Sequence, residues 1–137
     1  MHPSVSDFLR HVTDWATSQP AVSGVALVGS YARGEARADS DIDLVLLCTE
    51  PGGFLIDTSW LHLFGAVERY QTEDWGLVQS LRVYYRESFE VEFGITSRMW
   101  AALPIDPGTQ QVVAHGIRLL MDREGLLGRL LETVTAS

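Results

Sequence analysis

The sequence predicts a mixed α/β (α+β) domain, a central mixed β-sheet flanked by helices. Three observations carry this expectation. Stretches with apolar residues at helical spacing alternate with short apolar runs, in the order helix, strand, helix, strand, helix, hairpin, helix, strand, helix. One run, Ile42 to Cys48, is almost continuously branched aliphatic, as in a central strand covered on both faces. No repeat, low-complexity tract or linker interrupts the order.

The elements follow one by one. Val5, Phe8, Leu9, Val12, Trp15 and Ala16 form one face of a first helix, with Ser4 or Ser6 as its cap and an end near Gln19-Pro20. Val22 to Val28 is a buried strand that stops at Gly29-Ser30. Tyr31 to Arg37 makes a short helix before the polar turn Asp39-Ser40-Asp41, and Ile42 to Cys48 is the second strand. Glu50-Pro51-Gly52-Gly53 is a loop. Ser59 to Tyr70 places Trp60, Leu63, Phe64 and Val67 on one helical stripe. Gly76 to Tyr85 and Phe89 to Ile95 are β-rich runs joined across Arg86-Glu87-Ser88 as a hairpin. Asp106-Pro107 starts a helix and Gly116 stops it; Ile117 to Met121 is a strand, and a last helix begins near Asp122 with Leu126, Leu127, Leu130 and Leu131.

Composition narrows the function classes. The 137 residues are 46% hydrophobic and 20% charged, enough for one hydrophobic core and one domain over 1–137. No apolar run is long enough to cross a bilayer, and Met1-His2-Pro3-Ser4 lacks the basic-then-apolar order of a signal peptide. The single cysteine, Cys48, allows no internal disulfide, which points to a reducing cytoplasm. A net charge of −8 opposes binding to bulk nucleic acid and raises the question of where the carboxylates gather.

They gather in the stretch from Gly29 to Leu44. Gly29 ends a strand and allows close backbone approach, and Ser30 supplies a hydroxyl at the start of a helix whose free amides can take phosphate oxygens. Asp41 and Asp43 stand two apart at the mouth of a strand, so both leave on one face, about 7 Å apart by strand rise. Two hard carboxylates there repel each other unless a cation lies between them, and Mg²⁺, which is bound through one or two carboxylates plus substrate phosphates, suits the position. The two halves together would hold a nucleoside triphosphate. Two other readings fail on composition. Gly29 to Gly34 has the outer spacing of a P-loop, but Glu35-Ala36 replaces the required Lys-Ser/Thr. Asp39, Asp41, Asp43 and Glu50 match four positions of a calcium loop, but Leu44 replaces its turn glycine and Val45 to Leu47 read as strand.

On these residues the chain resembles the nucleotidyltransferase superfamily of DNA polymerase beta, most closely its small prokaryotic branch of minimal and aminoglycoside nucleotidyltransferases. The resemblance covers about Val22 to Ile95: an apolar strand into Gly29-Ser30, then Asp41-Ile42-Asp43 preceded by Ser40. It implies a nucleotidyltransferase-like sheet and a third carboxylate from a later strand in an apolar-acid-apolar setting. Glu90 and Glu92 both qualify and share a face; Glu92, just before Phe93-Gly94-Ile95, fits the third motif better. The activity implied is Mg²⁺-dependent transfer of a nucleoside monophosphate, usually AMP from ATP, to a hydroxyl acceptor. Two Mg²⁺ ions roughly 3.5–4 Å apart would clamp the attacking and leaving oxygens. Asp41 and Asp43 would serve both ions and Glu92 the one at the acceptor, Gly29 and Ser30 would bind the nucleotide, and Arg33 or Arg37 would neutralise its phosphates. A surface ion pair is the equal alternative for each arginine.

Outside these motifs the sequence is quieter. Glu90 reads more simply as the solvated side of a strand. His2, His11, His62 and His115 show no ligand spacing. Trp15, Trp60, Trp75 and Trp100 are core or rim aromatics, with Trp75 and Trp100 left open for an acceptor pocket or a dimer contact. Antibiotic-modifying members of the family carry a further helical domain, for which the residues after Ile95 are too few. Three completions stay open: a homodimer, a partner protein as acceptor, or a non-catalytic nucleotide-binding module. Minimal members that act as antitoxins, adenylylating a small helical toxin, make a helical partner protein the expectation under the second and third.

Overall fold

A computed structural model describes residues 3–86 and 89–135. Six strands form one mixed sheet in the order β3-β4-β5-β2-β1-β6. Helices cover both faces, as the sequence predicts. In chain order the elements are α1 (Pro3–Ser18), β1 (Val22–Val28), α2 (Gly29–Arg33), β2 (Ile42–Cys48), α3 (Pro51–Ile56), β3 (Val67–Asp74), β4 (Gln79–Tyr85), β5 (Glu90–Thr96), α4 (Pro107–His115), β6 (Ile117–Asp122) and α5 (Leu126–Thr135). Short 3₁₀ turns stand at Ser59–Phe64 and Arg98–Ala101. None of the described helices is long and apolar enough to cross a membrane.

Strand alternation divides the core in two. Ile42, Leu44 and Leu46 of β2 join Val91, Phe93 and Ile95 of β5 on one face, under the Val5, Phe8, Leu9 and Val12 stripe of α1. This side is strongly aromatic: Trp60 lies 5.0 Å from Phe93 and 5.1 Å from Trp15, and Phe8 meets Phe64, Tyr85 and Phe89 edge-on. Burying each such ring is worth about 1.5–3 kcal/mol, so this face supplies much of the folding drive. Val45 and Leu47 of β2 point the other way and pack with Trp100, Val113, Leu127 and Leu130 from the elements after β5. Arg123 ties the two layers, its guanidinium donating to the carbonyls of Thr17 and Gln19 at the end of α1 and of Val22 in β1. A cation there also suits the negative end of the helix.

Several boundaries differ from the sequence reading. The helix predicted over Ser59 to Tyr70 is a six-residue 3₁₀ segment ending at Phe64, and Val67–Asp74 is the edge strand β3. Trp60 is buried, but Leu63 on the same predicted stripe is 62% exposed; Gly65, at a positive φ of +154°, breaks the periodicity. The stretch read as a loop at Glu50 to Gly53 begins α3, with Pro51 in the first turn, where its missing N–H costs nothing. The short helix α2 begins at Gly29, not Tyr31, and Gly34 in the left-handed region ends it. The last helix starts at Leu126, because Asp122 closes β6 and caps α5 through the backbone N–H groups of Leu127 and Gly128. Glu87 and Ser88, in the predicted β4–β5 turn, and His2 lie outside the described residues.

The topology fixes where a site can form. β2 and β5 are adjacent and parallel, so their N-terminal ends share one edge of the sheet. β1 runs antiparallel to β2 and delivers its C-terminal end, with α2, to the same edge. One row of cross-strand neighbours therefore reads Val28, Asp43, Glu92, Arg82, Gln71.

A candidate metal and nucleotide site

Asp41, Asp43, Glu90 and Glu92 all lie on the sheet face opposite the aromatic core, because the residues between them, Ile42 and Val91, are buried on the aromatic side. One carboxylate oxygen from each of Asp41, Asp43 and Glu92 lies within 4.8 Å of the other two. Glu90 stands outside this group and forms an ion pair with Arg82 at 2.8 Å. Of the two candidates for a third carboxylate, Glu92 is thus the one brought to the aspartates, through its direct pairing with Asp43 in the β2–β5 register.

The electrostatics of Asp43 are unfavourable as they stand. Its Oδ1 is buried with no hydrogen-bond partner among the described residues. Burial, then the Asp41 and Glu92 charges beside it, push its carboxyl up from 3.8 to about 8, against the opposing pull of Arg82. A buried acceptor without a donor costs about 1–3 kcal/mol, and a cation at that oxygen would remove the cost. The backbone is shaped around the same side chain. Gly29 has φ +74°, and a Cβ there would collide with Asp43 Oδ2. The Gly29-Ser30 and Asp41-Ile42-Asp43 motifs are therefore one structural unit, joined where Val28 pairs with Asp43.

Asp43 and Glu92 open into a cleft of about 790 Å³. Gly29 and Arg33 line it near the carboxylates, and His115 comes from the end of α4. Its lining is otherwise largely apolar and aromatic, with Trp75, Leu77, Val78 and Trp100. Trp75 is 65% exposed, and its indole N–H donates to Glu92 Oε1 at 3.2 Å. Ser30 occupies the first turn of α2 but does not line the cleft. Arg33 lines it while bonding Glu35 at 3.4 Å. Arg37 faces a separate cavity of about 580 Å³ with Ser40 and Glu90, its backbone N–H donating to Ser40 Oγ.

Two sequence decoys dissolve in this geometry. Gly29 to Gly34 spans a five-residue helix and its left-handed cap. Glu50 lies beyond Cys48, at the opposite end of β2 from Asp43, so it cannot complete a calcium loop.

Sequence reasoning missed Arg82, Glu73 and His115. Arg82 was legible in part: Leu81, Val83 and Tyr85 alternate as buried residues of β4, which puts Arg82 on the face of Glu90 and Glu92. Glu73 was hidden because the first half of its strand, up to Tyr70, read as the end of a helix and the stretch from Gln71 to Trp75 was assigned to no element. His115 had no partner within its own segment and reaches the cleft only through packing of α4.

A mixed sheet with three clustered carboxylates at one edge, beside a Gly-Ser turn, defines a nucleotidyltransferase-fold protein. The chain belongs to the streptomycin adenylyltransferase family, whose sequence profile matches residues 4–135. Among solved structures it is similar to an aminoglycoside 6-adenyltransferase from Bacillus subtilis, at 15% identity and a TM-score of 0.54, over 69% of this chain and 36% of that one. The chain therefore spans about a third of the length of that protein. No curated protein matches it.

Proposed function

We propose that the chain acts as a Mg²⁺-dependent nucleotidyltransferase, moving AMP from ATP to a hydroxyl acceptor. The observation that carries this reading is the convergence of Asp41, Asp43 and Glu92 around the unpartnered Asp43 Oδ1. The donor set suits Mg²⁺: it is all carboxylate oxygen, at the mouth of a cleft with room for further ligands from phosphate and water. Asp41 and Asp43 would hold two ions jointly and Glu92 one of them; bound there, Mg²⁺ would offset phosphate charge and acidify the acceptor hydroxyl.

The remaining roles fall to groups of the chain itself. Gly29 lets the backbone approach without a side chain, so the triphosphate would lie along the start of α2, with Arg33 as the cation in the same cleft. The acceptor oxygen would attack the α-phosphorus as the bond to the β-phosphate breaks and pyrophosphate leaves. The wall of Trp75, Leu77, Val78 and Trp100 offers apolar and aromatic surface next to the carboxylates, where one substrate would stack. The family name and the structural neighbour both point to aminoglycosides, and a cationic, hydroxyl-rich acceptor matches the −8 charge of the chain.

Incubation with α-labelled ATP, Mg²⁺ and streptomycin or another aminoglycoside should move label to the antibiotic, and Asp43→Asn should abolish the transfer. Label appearing instead on an added protein would identify a protein hydroxyl as acceptor. Undiminished transfer in Asp41→Ala and Asp43→Ala would overturn the assignment.

A further inference from the structure

The guanidinium of Arg82 lies inside the acid cluster. Its Nη1 is 2.9 Å from Asp41 Oδ2 and 2.8 Å from Glu90 Oε2, its Nη2 is 3.2 Å from Glu92 Oε2, and its Nε is 3.2 Å from Glu73 Oε1. One planar cation, from β4, thus contacts four carboxylates from two strands, β3 and β5, and the segment before β2, with 19% of its side chain exposed. Two of the four, Asp41 and Glu92, belong to the group suited to a divalent ion; the other two, Glu73 and Glu90, do not. Both oxygens of Glu92 are already engaged, Oε1 by the Trp75 indole and Oε2 by Arg82.

We propose that Arg82 is the internal counter-cation of the metal site. Without a divalent ion it neutralises Asp41 and Glu92; when the ion binds, like-charge repulsion and competition for the same oxygens displace Nη1 and Nη2 from them. Glu73 and Glu90 keep the side chain tethered through Nε and Nη1, so it withdraws without leaving the cluster. Arg82 is thereby a positioning residue: it holds the carboxylates together in the metal-free protein and lowers their affinity for the cation that replaces it. This inference rests on the reading of Asp41, Asp43 and Glu92 as metal ligands.

A purely structural arginine and a counter-cation predict opposite effects on metal binding. Calorimetric titration of the nucleotide-free protein with Mn²⁺ distinguishes them. Arg82→Met should melt at a lower temperature than wild type without metal, yet bind Mn²⁺ at least tenfold more tightly, and Arg82→Lys should restore affinity toward the wild-type value. Equal or weaker Mn²⁺ binding by a folded Arg82→Met protein would overturn the proposal. Should that variant fail to fold, the wild type still gives a result: on Mg²⁺ titration the ¹⁵N–¹H signals of the Arg82 Nη groups should shift while its Nε–H stays protected by Glu73. Unmoved Nη signals at saturating Mg²⁺ would overturn the proposal. Absence of any metal binding by wild type would instead contradict the metal site on which it rests.

Discussion

Gly29 and Asp43 occupy one another's space: the α-carbon of Gly29 turns toward Asp43 Oδ2 so closely that no side chain fits between them. The contact explains why the chain leaves β1 through a left-handed residue, since only that backbone path brings the start of α2 against the carboxylate. It also couples the two sequence motifs mechanically.

A single methyl group should therefore uncouple them. Gly29→Ala costs about 1–2 kcal/mol for the left-handed backbone alone, and its Cβ must displace the Asp43 carboxylate. The expected outcome is a melting temperature several degrees lower and Mn²⁺ affinity reduced at least tenfold, read by thermal denaturation and calorimetry. Wild-type affinity in a folded Gly29→Ala protein would show that the contact is incidental.

The raised carboxyl of Asp43 gives the metal-free protein a characteristic pH dependence. The unfolded chain titrates near 3.8 and the folded one near 8, so the folded state binds the extra proton. The associated stability is fully present below pH 4 and is lost as pH rises through 8. Urea denaturation in EDTA should show stability declining between about pH 4 and pH 8, and Asp43→Asn should flatten that decline. Saturating Mg²⁺ should recover part of the lost stability at pH 8, because a ligand that binds only the folded state at a hundredfold its dissociation constant adds about 2.7 kcal/mol.

Trp75 offers an optical report of the same event. Its indole donates to Glu92 Oε1 at 3.2 Å, whereas Trp60 and Trp100 are buried. Metal binding at Glu92 should change tryptophan emission, and Trp75→Phe should remove the change while leaving Mn²⁺ affinity within about tenfold of wild type, since an exposed hydrogen bond contributes only about 0.5–1.5 kcal/mol. An emission change of wild-type size in Trp75→Phe would show that the Trp75–Glu92 hydrogen bond does not report metal binding.

On the opposite face, Phe93 carries the core that orients Glu92. It is fully buried and packs against Trp60 and Phe64. Phe93→Ala should destabilise the protein by about 3–5 kcal/mol in chemical denaturation, whereas Glu92→Gln, which removes one of several clustered like charges, should leave stability equal or higher. The reverse order would contradict the division of the sheet into a structural face and a site face.

The sequence carried the site further than it carried the fold around it. Gly29, Asp41, Asp43 and Glu92 were legible as candidates because their proposed chemistry depends on spacing along two strands, and strand alternation is a local property. The pairing that unites them, Asp43 beside Glu92 in a parallel register, spans 49 positions and was reached through family resemblance. β3 was misread because Trp60, Phe64 and Val67 happen to fall at helical spacing, while Gly65 and the demand of β4 for an edge partner decided the outcome. Arg82 escaped notice because a lone arginine in an apolar run looks like a solvated position until Glu73, Glu90 and Asp41 arrive from elsewhere in the chain.

The central claim, that Asp41, Asp43 and Glu92 form a divalent-cation site serving a nucleoside triphosphate, is tested most directly by a crystal of the protein grown with Mn²⁺ and a non-hydrolysable ATP analogue. Anomalous manganese density bounded by these three carboxylates is expected, with the phosphates of the analogue in the cleft beside Gly29. An analogue bound elsewhere, or manganese with none of the three as a ligand, would contradict it.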